Sequence, residues 1–241
     1  MLTRRAALSA LAGLAATRGA RAQTFPSRPI AIVVPYPAGG PVDVTARLIA
    51  LSVGSALDQP IAVDNRGGGA GVIGSTAVQH AEPDGHTLIL GTNQTHATNQ
   101  SLLKNCPYDA VKDFAAVAGI ADIPHVLAVR QGLEAENVGA LIALAKKLPG
   151  ALNYASTGIG SASHLAAELF KTRAGINIQH VPFRGSAPMT TELLAGRVDL
   201  TFATLPSVIS HIDAGAVRAL ALASGRPRRG CQTCRRLRKR A

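Results

Sequence analysis

The chain of 241 residues has no tryptophan, three tyrosines and five phenylalanines. Its 24 glycines and many alanines suit an α/β protein in which helices pack closely on sheets. Cysteine is scarce. Cys231-x-x-Cys234 invites a zinc reading, but one pair would supply only two of the four ligands a structural site needs, and the remaining cysteine is Cys106. No His/Cys/Asp/Glu cluster has metal-ligand spacing, so neither metal nor cofactor is expected. Long apolar runs are missing as well: Ala6–Ala16 is too short to span a bilayer as a helix. There is no G-x-S-x-G nucleophile elbow. Acidic residues are absent from positions 1–22 and 226–241.

That last absence accounts for the net charge of +11. The two ends hold twelve of the 25 Lys and Arg residues, leaving 13 cations against 14 acids in between. A nucleic-acid partner is therefore not expected from the body of the chain. At the N-terminus, Arg4-Arg5 precedes the apolar run, and Ala20-Arg21-Ala22 fits a small-x-small cleavage site. Residues 1–22 read as a secretory signal peptide, and the arginine pair is compatible with the twin-arginine route. The basic block 226–241 lacks periodicity and reads as an unstructured, out-of-frame or mis-joined end. A tail that binds nucleic acid or a membrane surface is the alternative.

Between the ends, strand-like and helix-like stretches alternate, which predicts an α/β architecture on a parallel sheet. Ile30–Val34 is a β-branched run that the Pro/Gly turn Pro35–Gly40 ends. Pro41 is pre-set for a first helical turn, and Val44, Leu48, Leu51 and Ser55 recur at helical spacing. Free N–H groups at such a helix start can hold a small anion. Further strands are expected at Pro60–Asp64, Thr87–Leu90, Phe114–Ala121, His125–Arg130, Leu152–Ala155, Ile176–Val181, Val198–Ala203 and Val217–Ala223. Helices are expected over Val72–Ala81, Glu136–Lys147, Ala162–Arg173, Met189–Ala195 and Ser207–Ala214.

Several constellations compete for function. Gly69-Ala70-Gly71-x-x-Gly74 has dinucleotide spacing, but follows the second strand and lacks the acid expected about twenty residues on. Ser161, Ser163 and His164 suggest a secreted serine hydrolase using Ser161. Adjacent helical side chains point about 100° apart, however, and no acid lies near to orient the imidazole. Asp43 suits a ligand amino or hydroxyl group, a general base, or simply the first turn of a helix. Arg184 could pair with a carboxylate or stand in solvent.

Ordered motifs carry a resemblance. Pro35-Tyr36-Pro37-Ala38-Gly39-Gly40 with Asp43 and Ala46-Arg47, Asn65-Arg66, Pro83-Asp84-Gly85, Thr95-His96, Pro107-Tyr108 and Lys112-Asp113-Phe114 belong to it. So do Asn153–Ser156, Gly158 with Gly160-Ser161, His164-Leu165, His180-Val181-Pro182 and Gly185–Pro188. Over about 25–224 the chain resembles the substrate-binding receptors of tripartite tricarboxylate transporters, the Bug family. The resemblance implies an exported, non-enzymatic, monomeric periplasmic receptor of type II, flytrap-like α/β fold. Its lobes would be 23–123 and 124–220, with a return crossing starting at 221–225 and the second part of the first lobe missing. It would close on a small carboxylate and deliver it to permease subunits or a sensor kinase. The implied ligand contacts are Tyr36, Ala38, Gly39, Gly40, Asp43, Thr95, His96, Ser161, Ser163, His164, Gly185, Ser186 and Ala187. Gly67 stands where that family places a proline, which is expected to loosen its loop.

Overall fold

The computed structural model of the protein describes residues 24–223. The expected signal peptide, the basic block 226–241 and the Cys231/Cys234 pair lie outside the described residues. The chain forms two sheets. The first contains β1 (Ile30–Val34), β2 (Ile61–Asn65) and β3 (Thr87–Ile89) in the order β2-β1-β3, all parallel. Helix α1 (Pro41–Leu57) connects β1 to β2, and α2 (Val72–Gln79) connects β2 to β3. A π-helical turn, Gln94–Thr98, then runs into the short helix α3 (Asn99–Leu102).

The second sheet has the order β6-β5-β7-β4-β8. Its strands are β4 (His125–Arg130), β5 (Asn153–Ser156), β6 (Gln179–Pro182), β7 (Leu200–Thr204) and β8 (Val217–Leu222). Four helices connect them: α4 (Val138–Lys147), α5 (Ala162–Ala174), α6 (Ser186–Leu194) and α7 (Leu205–Asp213). This sheet is mixed, which corrects the expectation of a parallel one. β4 runs antiparallel to both neighbours, β7 and β8, while β5 is parallel to β6 and β7. β4 is entered from the irregular stretch 103–124, and although α4 follows it, the strand that α4 leads to, β5, runs the opposite way. The connection β7–α7–β8 then passes over β4.

Phe114–Ala121 is not a strand. Its backbone makes no ladder, and Ala115–Ala121 is exposed on the way to β4. A β-rich composition needs a partner edge before it becomes a strand. Helix α6 starts at Ser186, three residues before the expected Met189. Pro188 falls in its first turn, where a missing N–H costs nothing.

Alternation along the second sheet builds two cores. Leu127, Val129, Tyr154, Leu200 and Phe202 face α4 and α5, with Leu141, Ala145 and Ala167 buried beneath. Val126, Ala128, Ala155 and Ala203 face α6 and α7, against Met189, Leu193 and Val208. The first sheet has a smaller core of Ile32, Val34 and Ala46. Helix α1 turns Ala46 to β1, and leaves Val44, Leu48 and Leu51 50%, 64% and 74% exposed.

The glycines of Gly69-Ala70-Gly71-x-x-Gly74 serve packing. A Cβ on Gly71, which has φ 85°, would meet Thr95 Cγ2 at 2.5 Å. One on Gly74 would stand 2.9 Å from Arg66 O and from Pro35 Cα and Cβ. That closeness clamps α2 onto the end of β1. Replacing Gly74 by alanine is therefore expected to cost about 1–3 kcal/mol of stability through overpacking, read from a denaturant melt.

Candidate functional site

The strand-end loops of both sheets converge. After β1, Gly39 takes φ 80° and Gly40 stands as the extended N-cap of α1. Asp43, 3% exposed, folds back on this turn. Its Oδ2 accepts from the amide of Gly39 (2.9 Å) and from Arg47 Nε (3.1 Å). Its Oδ1 lies 3.1 Å from Arg47 Nη2 as an ion contact without hydrogen-bond alignment. The Arg47 guanidinium holds the Asp43 carboxyl below its ordinary range, and the Gly39 amide adds to this. Arg47 also donates to Asn65 Oδ1 (3.2 Å), and Asn65 donates to Tyr36 O (3.2 Å). Asp43 thus fastens the loop and keeps the Gly39 amide occupied. Val44 is the first amide of α1 bonded to Gly40 O, at 3.0 Å, so Val42 and Asp43 present theirs beyond the helix end.

After β5, hydroxyls do the same work. Ser161 caps α5: its Oγ accepts from His164 N (3.3 Å) and donates to Gly158 O (2.6 Å). Ser163 Oγ accepts from Thr157 N (2.9 Å) and lies 2.9 Å from Ser161 Oγ and 3.1 Å from Thr157 Oγ1. Ser161 has given its proton to a carbonyl, so Ser163 donates into Ser161. The Thr157 hydroxyl is left as the proton that can turn to a ligand. Beneath this loop, His164 Nδ1 accepts from Gly160 N (3.2 Å). Tyr154 stacks on His180 (4.7 Å), which lies 4.4 Å from the His164 ring, and His180 Nε2 pairs with Ser156 Oγ at 2.6 Å. Burial and the neighbouring His164 lower the His180 pKa.

The third loop ends at Gly185, the N-cap of α6, with φ 106° and no side-chain cap. A Cβ there would lie 3.6 Å from the ring of Pro37, across the cleft. A Cβ on Gly160 would lie 3.0 Å from Leu102 Cδ1. Gln94 Nε2 donates across the cleft to Ile159 O (2.8 Å). The Tyr36 hydroxyl lies 2.6 Å from Thr92 Oγ1 and donates to Gln94 Oε1 (3.2 Å); burial pushes its pKa up to about 12.

Tyr36, Ala38, Gly39 and Gly40 therefore share one cleft with Ser161, Ser163 and His164, and with Gly185, Ser186 and Ala187. Thr95 and His96 turn elsewhere. Thr95, fully buried, bonds to Thr92, accepts from Tyr108 at its carbonyl and pairs with His96 Nδ1. His96 packs on Phe114 and beside Gly91, and burial lowers its pKa. Gln94, Thr92 and Thr157 are the residues that sequence reasoning passed over. Thr92 and Gln94 follow β3 and Thr157 follows β5, and side-chain direction is what separates Thr92 and Gln94 from Thr95.

The serine-hydrolase geometry is not present. Ser161 is spent on capping, and the serine that meets an imidazole is Ser156, fully buried. Among the described residues no three His, Cys, Asp or Glu side chains gather as a metal-ligand set. A groove of about 660 Å³ between α1 and β2, walled by Leu51, Gly54, Pro60 and Ile61, includes none of the loop residues. Its cation, Arg47, is committed to Asp43 and Asn65.

Two sheets whose strand-end loops meet in a shared cleft define a flytrap-like solute-binding protein. The chain belongs to the tripartite tricarboxylate transporter receptor family, which matches residues 45–230. It is 40% identical to protein BugT of Bordetella pertussis over 89% of this chain and 66% of that protein, so it spans just under two thirds of that relative. It superimposes on Rpa4515 of R. palustris with adipate (TM-score 0.82, 40% identity, 84% of this chain and 68% of that one). It also superimposes on MatC of Rhodopseudomonas palustris with bound malate (TM-score 0.78, 33% identity, 83% and 68%).

Asp43→Ala would free the Gly39 amide and strand Arg47. A loss of about 1.5–3 kcal/mol is expected in a chemical melt, the range of a hydrogen bond to a charged group. Acid should act in two stages. His96, His125 and His180 all bind protons less readily when folded. Below the ordinary value near 6.5 the unfolded chain takes up more protons, so stability falls as pH drops through that region. Asp43 and Glu168, also lowered, add their loss only at more acid pH. His180→Phe, which keeps the stack on Tyr154, should flatten the upper stage of melting temperature against pH.

Proposed function

We propose that this chain is a periplasmic receptor that closes on a small organic carboxylate and hands it to the permease of a tripartite tricarboxylate-type transporter or to a sensor kinase. The observation that carries this reading is the meeting of three loops from two sheets, with Pro37 against Gly185 and Gln94 bonded to Ile159 O. In this reading the lobes are 23–123 and 124–220, with the return crossing beginning at 221–225, and the protein acts as a monomer. The apolar start of the chain, Ala6–Ala16 after Arg4-Arg5, supports export, with the twin-arginine route as the finer expectation. Adipate and malate in the related structures favour a dicarboxylate.

The proposed contacts are main-chain N–H groups at the starts of α1, α5 and α6, reached through Ala38–Gly40, Ser161–His164 and Gly185–Ala187, with the Tyr36 side of the cleft behind. Micromolar binding needs about 8 kcal/mol. Three helix N-termini at about 0.3–1 kcal/mol each, or about 2 when partly buried, fall short. Charge-assisted hydrogen bonds of about 1.5–3 kcal/mol each, made where water is excluded, close the gap.

Titration calorimetry of the mature protein against mono-, di- and tricarboxylates is expected to give saturable, one-to-one binding without turnover. Gly185→Ala, which forces a side chain into φ 106° beside Pro37, should weaken it at least about tenfold. Absence of binding across the panel, or covalent labelling by a serine-directed phosphonate that Ser161→Ala abolishes, would overturn the receptor in favour of the hydrolase.

A further inference from the structure

Gln94 is 4% exposed, and both ends of its amide are used. Oε1 accepts from the Tyr36 hydroxyl (3.2 Å), in its own lobe. Nε2 donates to Ile159 O (2.8 Å), in the other. Chemistry fixes this orientation, because a carbonyl oxygen can only accept. The backbone of Gln94 is held separately: its N–H donates to Thr92 Oγ1 (3.2 Å), itself 2.6 Å from the Tyr36 hydroxyl. The side chain is therefore aimed by Tyr36 and Thr92 before it meets the second lobe. The other contacts across the cleft, Pro37 on Gly185 and Leu102 on Gly160, are apolar and carry no direction.

We propose that Gln94 is the closure latch of this receptor: a positioning residue that holds the lobes together through Ile159 O and leaves the cleft amides free for the ligand. This rests on the receptor reading above. A neutral amide suits the task. A lysine or arginine at 94 would draw the carboxylate to itself, and an acid would repel it. An amide bonds the far backbone whatever the ligand, and so sets how long the cleft stays shut. Opening returns the Gln94 amide and Ile159 O to water, so the bond biases closure modestly and leaves release possible.

The test compares the full chain with Gln94→Glu, which keeps the acceptor for Tyr36 but sets oxygen against Ile159 O, and Gln94→Met, which keeps the length and removes both bonds. With adipate and malate as probes, dissociation should quicken about tenfold in Gln94→Glu and about fivefold in Gln94→Met. Association should stay within about twofold in Gln94→Met, since latching follows encounter, whereas the added charge of Gln94→Glu is expected to slow it by repelling the carboxylate. Small-angle scattering of the ligand-free proteins should show both variants expanded relative to the parent, with their melting temperatures little changed. A merely structural role would lower the melt and leave compactness and the rate ratio alone. If both variants release the probes as slowly as the parent and scatter as compactly, the latch is overturned while the receptor stands. If the parent binds neither probe, the receptor reading fails, and the ligand-free scattering still decides for or against the latch.

Discussion

An anion leaves water only when something replaces its hydration shell, and uncharged amides do so only where water cannot compete. Two cations beside the cleft of this protein are already engaged, Arg47 with Asp43 and Asn65, and Arg66 with Asp64, while Arg184 stands exposed just before Gly185. Apart from Arg184, what the strand-end loops offer is main chain and hydroxyl. Such groups are strong in a closed cleft and weak in an open one. Closure is therefore the condition under which the proposed contacts have value, and the architecture can be read as a means of bringing two half-sites together.

Each half-site is stiffened within its own lobe. On the first, a buried aspartate ties the Gly39 amide to the first turn of its own helix. On the second, the cap of Ser161 and the chain Thr157–Ser163–Ser161–Gly158 O settle most of the protons before any ligand arrives. The Tyr154–His180–His164 stack supports this loop from below. In the proposed receptor little loop ordering would then be left for the moment of binding, which is how modest dipoles can reach useful affinity.

Much of this was legible in the sequence because local chemistry dictates it. The Pro/Gly turn after Ile30–Val34 and the Ser161 position before Ala162 each announce a strand-end loop and a helix start, whereas after Gly185 the loop was legible but the helix start was expected at Met189, three residues late. Strand direction was not legible, since β4 has the same pattern whether it runs with or against β7, and the run β4–α4–β5 reads like an ordinary parallel crossover. Nor was the choice among polar neighbours. Gln94, Thr95 and His96 are consecutive, yet Gln94 reaches the other lobe while Thr95 and His96 turn to Tyr108 and Phe114. A π-helical turn makes that distinction, and it depends on packing that no spacing rule carries.

Gly67 shows how a departure from a family pattern can act. A proline there would rigidify the loop, so glycine implies slackness. In the structure the residue lies against the turn it was expected to leave loose. A Cβ would stand 3.1 Å from Pro37 N and 3.2 Å from Pro37 Cδ and Tyr36 C. Glycine costs more backbone entropy on folding, and in return lets this loop settle directly on Pro37. Gly185 approaches the same ring, where a Cβ would lie 3.6 Å from Cδ and Cγ. Pro37 thus has a glycine of its own half close to its nitrogen and Cδ, and a glycine of the other half close to Cδ and Cγ. A proline ring has little internal freedom, so in the proposed receptor the seat of Pro37 on Gly67 would limit how closely Gly185 can approach when the cleft closes.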